Sequence, residues 1–494
     1  MSCSSTTLAL LLLLLVAAAA KSAPTRKHVA AVESVREGMQ QAIAWANGGV
    51  KTASGPGPES GFPGGALRDC AVLYGDAESR LARLVSGEAE DWGGDDAVTW
   101  LSAALAGHNT CLDGLGEMRG FYEAHNLTNL IREASAVYRA EPETNIGGNA
   151  KGKKIVPRRP DPIHEGGLLT AWNPATSNVD YVVAQDGSGN YRTINEAVAA
   201  IARSGRNRPE RVVVHVKSGV YKEKVEIGRE LSNIMFVGDG IDKTIVTGNR
   251  NVQDGSTTFN SATFGVSGDG FWARDMTFEN TAGPGKHQAV ALRVASDRAV
   301  FYRCSFKGYQ DTLFALSLRH FYRGCHVYGT VDFIFGDAAA VLQDCDVFVR
   351  RPMDHQSNMI TAQGRSDPNQ NTGISVVGCR VRPAPELRGL EGRFRSFLGR
   401  PWKRYSRTVF MKTNLDGLID RRGWNEWSGG FALGTLYYAE FMNTGSGATT
   451  AGRVRWPGFH VLSDAHEAEH FGVRDFIGGD KWIPATGVPF STGL

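Results

Sequence analysis

The sequence predicts a mainly β chain, a parallel β-helix preceded by a small α-helical bundle, and three observations predict it. Four segments share one pattern: Val300-Phe-Tyr-Arg-Cys304-Ser-Phe306, Phe321-Tyr-Arg-Gly-Cys325-His-Val327, Val341-Leu-Gln-Asp-Cys345-Asp-Val347 and Ser375-Val-Val-Gly-Cys379-Arg-Val381. Their cysteines lie 21, 20 and 34 residues apart. A repeat of about 20 residues made of short strands marks a solenoid, each coil burying its apolar face on the next, and an insertion of about a dozen residues explains the long interval. From Asp180 onward the apolar runs are short, β-branched and aromatic, punctuated by Gly, Asn and Asp. Before residue 141 the periodicity is helical instead. A sandwich with similar hairpins is the rival that spacing alone leaves standing.

The elements follow in chain order. Leu8 to Ala20 is an unbroken apolar run of 13 ending in small residues. It is too short to span a bilayer and reads as a secretory leader, residues 1–23, although no positive charge precedes it; a short membrane anchor is the alternative. Residues 24–141 read as four helices separated by Gly-rich breaks such as Ser54 to Gly65. Leu67, Cys70, Leu73, Tyr74, Ala77, Leu81 and Leu84 recur at spacings of three and four, one apolar stripe, and similar stripes run from Val29 to Ala46, Ala97 to Leu105 and Phe121 to Tyr138. Asn126-Leu-Thr128 is a glycosylation sequon. Residues 142–178 form a basic linker with Lys151, Lys153, Lys154, Arg158 and Arg159, read either as solvated chain or as a processing site. Residues 179–494 are the β-helix.

Composition excludes several functions. At 494 residues and 42% hydrophobic, the chain can bury two or three cores. A formal charge of +3 is too mild for a nucleic-acid binder. There is no phosphate-binding Gly-x-x-x-x-Gly-Lys loop and no Cys/His cluster at metal-ligand spacing. No cofactor, metal, nucleic-acid or membrane partner is expected, and the chain is expected to act as a monomer. Without Cys3 in the leader, six cysteines remain. Cys70 and Cys111 are each other's only nearby partners, while Cys304, Cys325, Cys345 and Cys379 allow three pairings or a ladder of reduced thiols.

The register of the repeat points to chemistry. Asp311 lies seven residues after Cys304, and Asp332 seven after Cys325. In stacked coils they occupy the same position, about 4.8 Å apart on one face. Two carboxylates so close cannot both ionise freely, so one pKa is expected to rise and one to fall, giving an acid and an anionic nucleophile. Both sit among Val, Phe and Ile, where an unpartnered charge is costly.

At these residues the chain resembles the plant pectin methylesterases. The resemblance is carried by Gly219-Val-Tyr-Lys-Glu223, Gln288-Ala-Val-Ala-Leu-Arg293, Tyr309-Gln-Asp-Thr-Leu313, Asp332-Phe-Ile-Phe-Gly336 and Leu398-Gly-Arg-Pro-Trp402, in the family's order. It implies a right-handed parallel β-helix in the cell wall that hydrolyses the C6 methyl ester of galacturonate in pectin without a metal. By motif, Asp332 would be the nucleophile, Asp311 the acid and then base, and Gln310 and Gln288 oxyanion donors. Arg400 would hold Asp332 ionised, and Trp402 and Thr258 would contact the sugar. The helical half resembles the family's inhibitor-like domain, which implies an inhibitor-domain partner either within the chain or as a separate protein, but it keeps only two of the usual four cysteines, which weakens the expectation that it binds and silences the catalytic half. Two further departures are Leu316-Ser317, where a His-Ser pair is common, and Pro160 directly after the dibasic pair. A retaining glycosidase and a non-catalytic wall-binding protein are the competing readings.

Overall fold

The computed structural model describes residues 25–53, 63–86, 94–116, 124–140 and 167–493. The leader and the dibasic linker pair lie outside them. Four helices come first: α1 (Arg26–Ala53), α2 (Pro63–Val85), α3 (Gly94–Leu115) and α4 (Ala124–Ala140). The chain enters α2 at Pro63, inside the expected break, because a proline costs nothing in a first turn whose N–H groups have no helical partner. In α1 the buried apolar residues are Val32, Val35, Met39, Ala42 and Ala46, a three-and-four stripe that His28 extends by one turn. From Asp96 to His108, α3 is buried all round, and a helix without a polar face must be covered on both sides. Its second cover is the β domain. The Cys70–Cys111 disulfide joins α2 to α3.

From Tyr181 the chain winds into a parallel β-helix of three sheets with 11, 7 and 8 strands. Every strand pairing within them is parallel, as when a chain returns to the same face once per coil. The cysteine repeat sits at one tight turn. Asp275, Arg303, Gly324, Asp344, Gly378, Lys412 and Met442 all have positive φ there, between 48° and 62°. The residue after each of the first five points inward: Met276, Cys304, Cys325, Cys345 and Cys379 form a buried ladder. All four cysteines are free thiols; the Cys325 and Cys345 amides donate to the next sulfur along at 3.4 and 3.3 Å. Aromatic side chains stack coil on coil in the same interior, Phe301 beneath Tyr322 with ring centroids 5.2 Å apart. A helix at Ile194–Ser204, opened by a Thr193/Glu196 capping box, buries Ile194, Ala197 and Ile201 in this core, while Trp482, Ile483 and Val473 cover the 11-stranded sheet.

Candidate active site

The 7-stranded sheet sets the site. Leu292 pairs with Leu313, Leu313 with Ile334, Ile334 with Thr361 and Thr361 with Gly399. Asp311 and Asp332 each lie two residues before their strand's first paired residue, so they occupy one position in successive coils, as the cysteine register predicts. Both have positive φ, 64° and 52°. Non-glycine residues adopt this conformation at a cost that the surrounding coils must outweigh, and such outliers cluster at functional sites. Both are buried, 7% and 5% exposed.

Arg400, two coils further on, reaches back to Asp332. Its Nε donates to Oδ1 at 2.8 Å and its Nη2 to Oδ2 at 2.6 Å, the bidentate fork that only a guanidinium makes. The electrostatics correct the expectation of one raised and one lowered pKa. Burial raises both carboxyls. Asp311 goes well above the ordinary range, from burial and then the neighbouring Asp332 charge, with Arg400 opposing. Asp332 rises less, because burial is countered by the fork from Arg400. The two are kept apart by the arginine touching only one of them.

Thr258, Gln288, Gln310, Asp311, Asp332, Arg400 and Trp402 all line one cavity of about 460 Å³. Gln288 and Gln310 arrive on successive coils. Trp402 rests its ring edge against Phe335, centroids 6.0 Å apart, in space that exists because residue 364 is glycine: a Cβ there would stand 2.9 Å from the indole. Phe314 and Phe335, stacked at 4.3 Å, give the floor its apolar part. Sequence reasoning missed Trp427, which lines the cavity with the Arg400 guanidinium 4.4 Å over its ring; its only signal is an aromatic in a Gly-rich loop. Among the described residues, no group of three His, Cys, Asp or Glu side chains converges as a metal site.

It also missed the opposite wall, which belongs to the helical bundle. Ala66, Asp69, Thr110, Cys111, Asp113 and Gly114, from α2 and α3, face the cavity. Asp69 accepts a hydrogen bond from the Thr257 hydroxyl, and Lys403 Nζ meets both Asp113 oxygens at 2.8 Å. Further from the cavity, Arg80 Nη2 donates to Asp269, Ser267 O and Ala295 O at 2.8–3.1 Å, and Arg319 bridges Asp96 of α3 and Asp297, both at 2.6 Å. Phe314, Leu316, Phe335 and Ala362 share one apolar cluster with the bundle. The case against contact between the halves rested on the missing cysteine pair; the pair that remains braces the two helices that make it.

Fold and site together define a parallel β-helix protein with a buried aspartate pair, one member held by an arginine, facing a separate helical domain. A family model described as pectinesterase matches residues 180–480, and one described as plant invertase/pectin methylesterase inhibitor matches residues 4–137. A probable pectinesterase/pectinesterase inhibitor of Arabidopsis thaliana is 58% identical over 452 residues, 87% of each chain. Pectinesterase 2 of Citrus sinensis is 49% identical, covering 87% of this chain and 82% of its own. Among solved structures, pectin methylesterase from carrot is 53% identical with a TM-score of 0.64, covering 65% of this chain and all of its own. The chain belongs to the pectinesterase family: it is a carboxylic ester hydrolase, a pectin methylesterase, carrying an inhibitor-type domain on the same polypeptide.

Proposed function

We propose that Asp332 is the nucleophile and Asp311 the acid–base of this pectin methylesterase. The Asp332 carboxylate, held ionised by Arg400, attacks the ester carbonyl, and the tetrahedral oxyanion is met by the amides of Gln310 and Gln288. Asp311, kept protonated by burial and by its neighbour's charge, gives its proton to the departing methanol. It then takes a proton from the water that opens the acyl-enzyme anhydride. Trp402 and Thr258 hold the sugar, the indole by its flat apolar face. The observation that carries this reading is the one-sided fork: a buried pair in which only Asp332 touches the guanidinium.

The helical domain acts as an inhibitor in cis, covering the cleft in a chain that is secreted to the cell wall and works as a monomer. This reading is supported by the bundle residues that face the same cavity as the aspartates. Incubation with highly methylated pectin tests both parts. Methanol is expected without new reducing ends, and Asp332→Asn should lower its release by about 10³-fold or more. Retained turnover in that variant would remove Asp332 from the role.

A further inference from the structure

The bundle covers the cleft without filling it. Two polar struts cross from the helices to the β-helix beside opposite ends of the site: Asp69 to Thr257, next to Thr258, and Asp113 to Lys403, next to Trp402. Between them the cavity of about 460 Å³ keeps both aspartates, both glutamines and the Arg400 fork on its wall. That volume lies inside the 300–1,000 Å³ typical of small-molecule sites and holds roughly one or two sugar rings. The wall reaches solvent at Trp427, which is 37% exposed. A long polymer lying against both Thr258 and Trp402 would have to continue past both struts. A short ester would not.

The roof also carries charge. Asp69 and Asp113 face the chamber. Asp113 is neutralised by Lys403, whereas burial pushes Asp69 up to about 6. Above about pH 6 the ionised Asp69 opposes a free uronate and leaves a neutral ester unopposed.

We propose that the attached helical domain is a size filter rather than a plug: the intact chain de-esterifies short, neutral methyl esters of one or two uronate units and excludes the polymer. This rests on the reading of the bundle as a cis inhibitor. Within the chamber the chemistry is that of the open enzyme. Asp332 forms an ester-derived anhydride as the carbonyl–methoxy bond breaks, methanol leaves with the Asp311 proton, and water returns a proton to Asp311 while releasing the carboxylate.

The test compares the intact chain with an unlatched full-length variant, R80E/D96K, which reverses two interdomain contacts away from the cavity. The substrates are methyl-esterified galacturonate oligomers of one to eight units and polymeric pectin, with methanol as the readout. The filter predicts rates on one- and two-unit esters within about 10-fold between the two proteins, and a rise of about 100-fold or more on pectin when the latch is broken. An intact chain inert on short esters that the unlatched form turns over would overturn the filter and leave a plug. Equal rates on pectin in both proteins would instead overturn the cis-inhibitor reading itself. Short esters turned over by neither protein would overturn the filter as well, because the proposal requires the intact chain to hydrolyse them. Should R80E/D96K fail to fold, Asn109→Arg, at the 2.8 Å contact with Ser366, is the milder unlatching change.

Discussion

Asp311 and Asp332 are chemically identical and one coil apart, yet their surroundings set them different tasks. Both lose hydration; only Asp332 gains a guanidinium. Removing that cation takes away the influence that lowers both carboxyls. In Arg400→Gln, therefore, Asp332 needs a higher pH to ionise, and the acidic limb of the kcat/KM profile should move to higher pH as the maximum falls. An unmoved limb would mean that Arg400 does not set the ionisation of Asp332. Ala362 matters for the same reason. It pairs with Phe335, follows Thr361, which pairs with Gly399, and lines the cavity with Arg400, so a larger side chain here would crowd the guanidinium. Ala362→Leu should cost about 10- to 100-fold in kcat while circular dichroism and the unfolding midpoint stay near the parent values, as expected where a positioning contact is displaced by about 1 Å.

At the scale of one coil, the tight turn before each core cysteine demands a left-handed residue. The chain uses Gly324 (φ 59°) and Gly378 (φ 62°) at two of these turns and non-glycine residues at the others. An added Cβ at Gly378 would approach the Asp344 carboxylate at 2.7 Å. Gly378→Ala should therefore destabilise by about 1–2 kcal/mol in urea titrations, since an L-residue in this region carries that penalty. The converse change, Asp344→Gly at φ 53°, should be far better tolerated than Asp344→Val, which places a β-branched side chain in the same conformation. The thiol ladder beside this turn is buried on every side. Burial raises Cys304, Cys325 and Cys379 well above an ordinary thiol, which keeps them unreactive.

At the scale of the molecule, two domains meet over the catalytic residues through groups that titrate. In the docked state Asp69 is raised from 3.8 to about 6, mainly by burial, against the lowering influence of Thr257, Arg293 and Lys224, with Glu226 adding to the rise. Asp76, beside Arg80 and Arg229, is raised by burial as well. A group whose pKa is higher docked than free takes up protons on docking. Its contribution is complete below the free value and disappears as pH rises through the docked one. For Asp69 that contribution fades as pH rises through about 6. Hydrogen-exchange protection in α2 and α3, taken relative to the intrinsic exchange rate at each pH, should thus be greater at pH 4 than at pH 7, and Asp69→Asn should shrink that difference. No change with pH would show that docking does not depend on these carboxyls. Among the described residues no helix is long and apolar enough to cross a membrane, and Asn126, at the start of α4, is exposed.

Much of this was legible in residue order. A repeat records its own geometry, because every coil must present the same inward side chain at the same turn. Four cysteines at coil spacing therefore revealed the stacking, and the stacking placed Asp311 over Asp332. The seven site residues named from motifs lie on one cavity, since they ride on successive coils of a single sheet. Periodicity revealed the helices for the same reason, each having one face to bury. The shift of both carboxyls in one direction was not legible, because desolvation depends on how much protein surrounds a group, and spacing carries no measure of that. Trp427 comes from a loop with no repeat to place it. The docking of α2 and α3 over the cleft was hidden most completely. Asp69, Asp113, Thr257 and Lys403 are unremarkable alone, and they are brought together across more than 180 residues of sequence only when two separately folded surfaces meet. Local pattern reports what a segment must bury; which other surface buries it is settled by shape and charge in three dimensions.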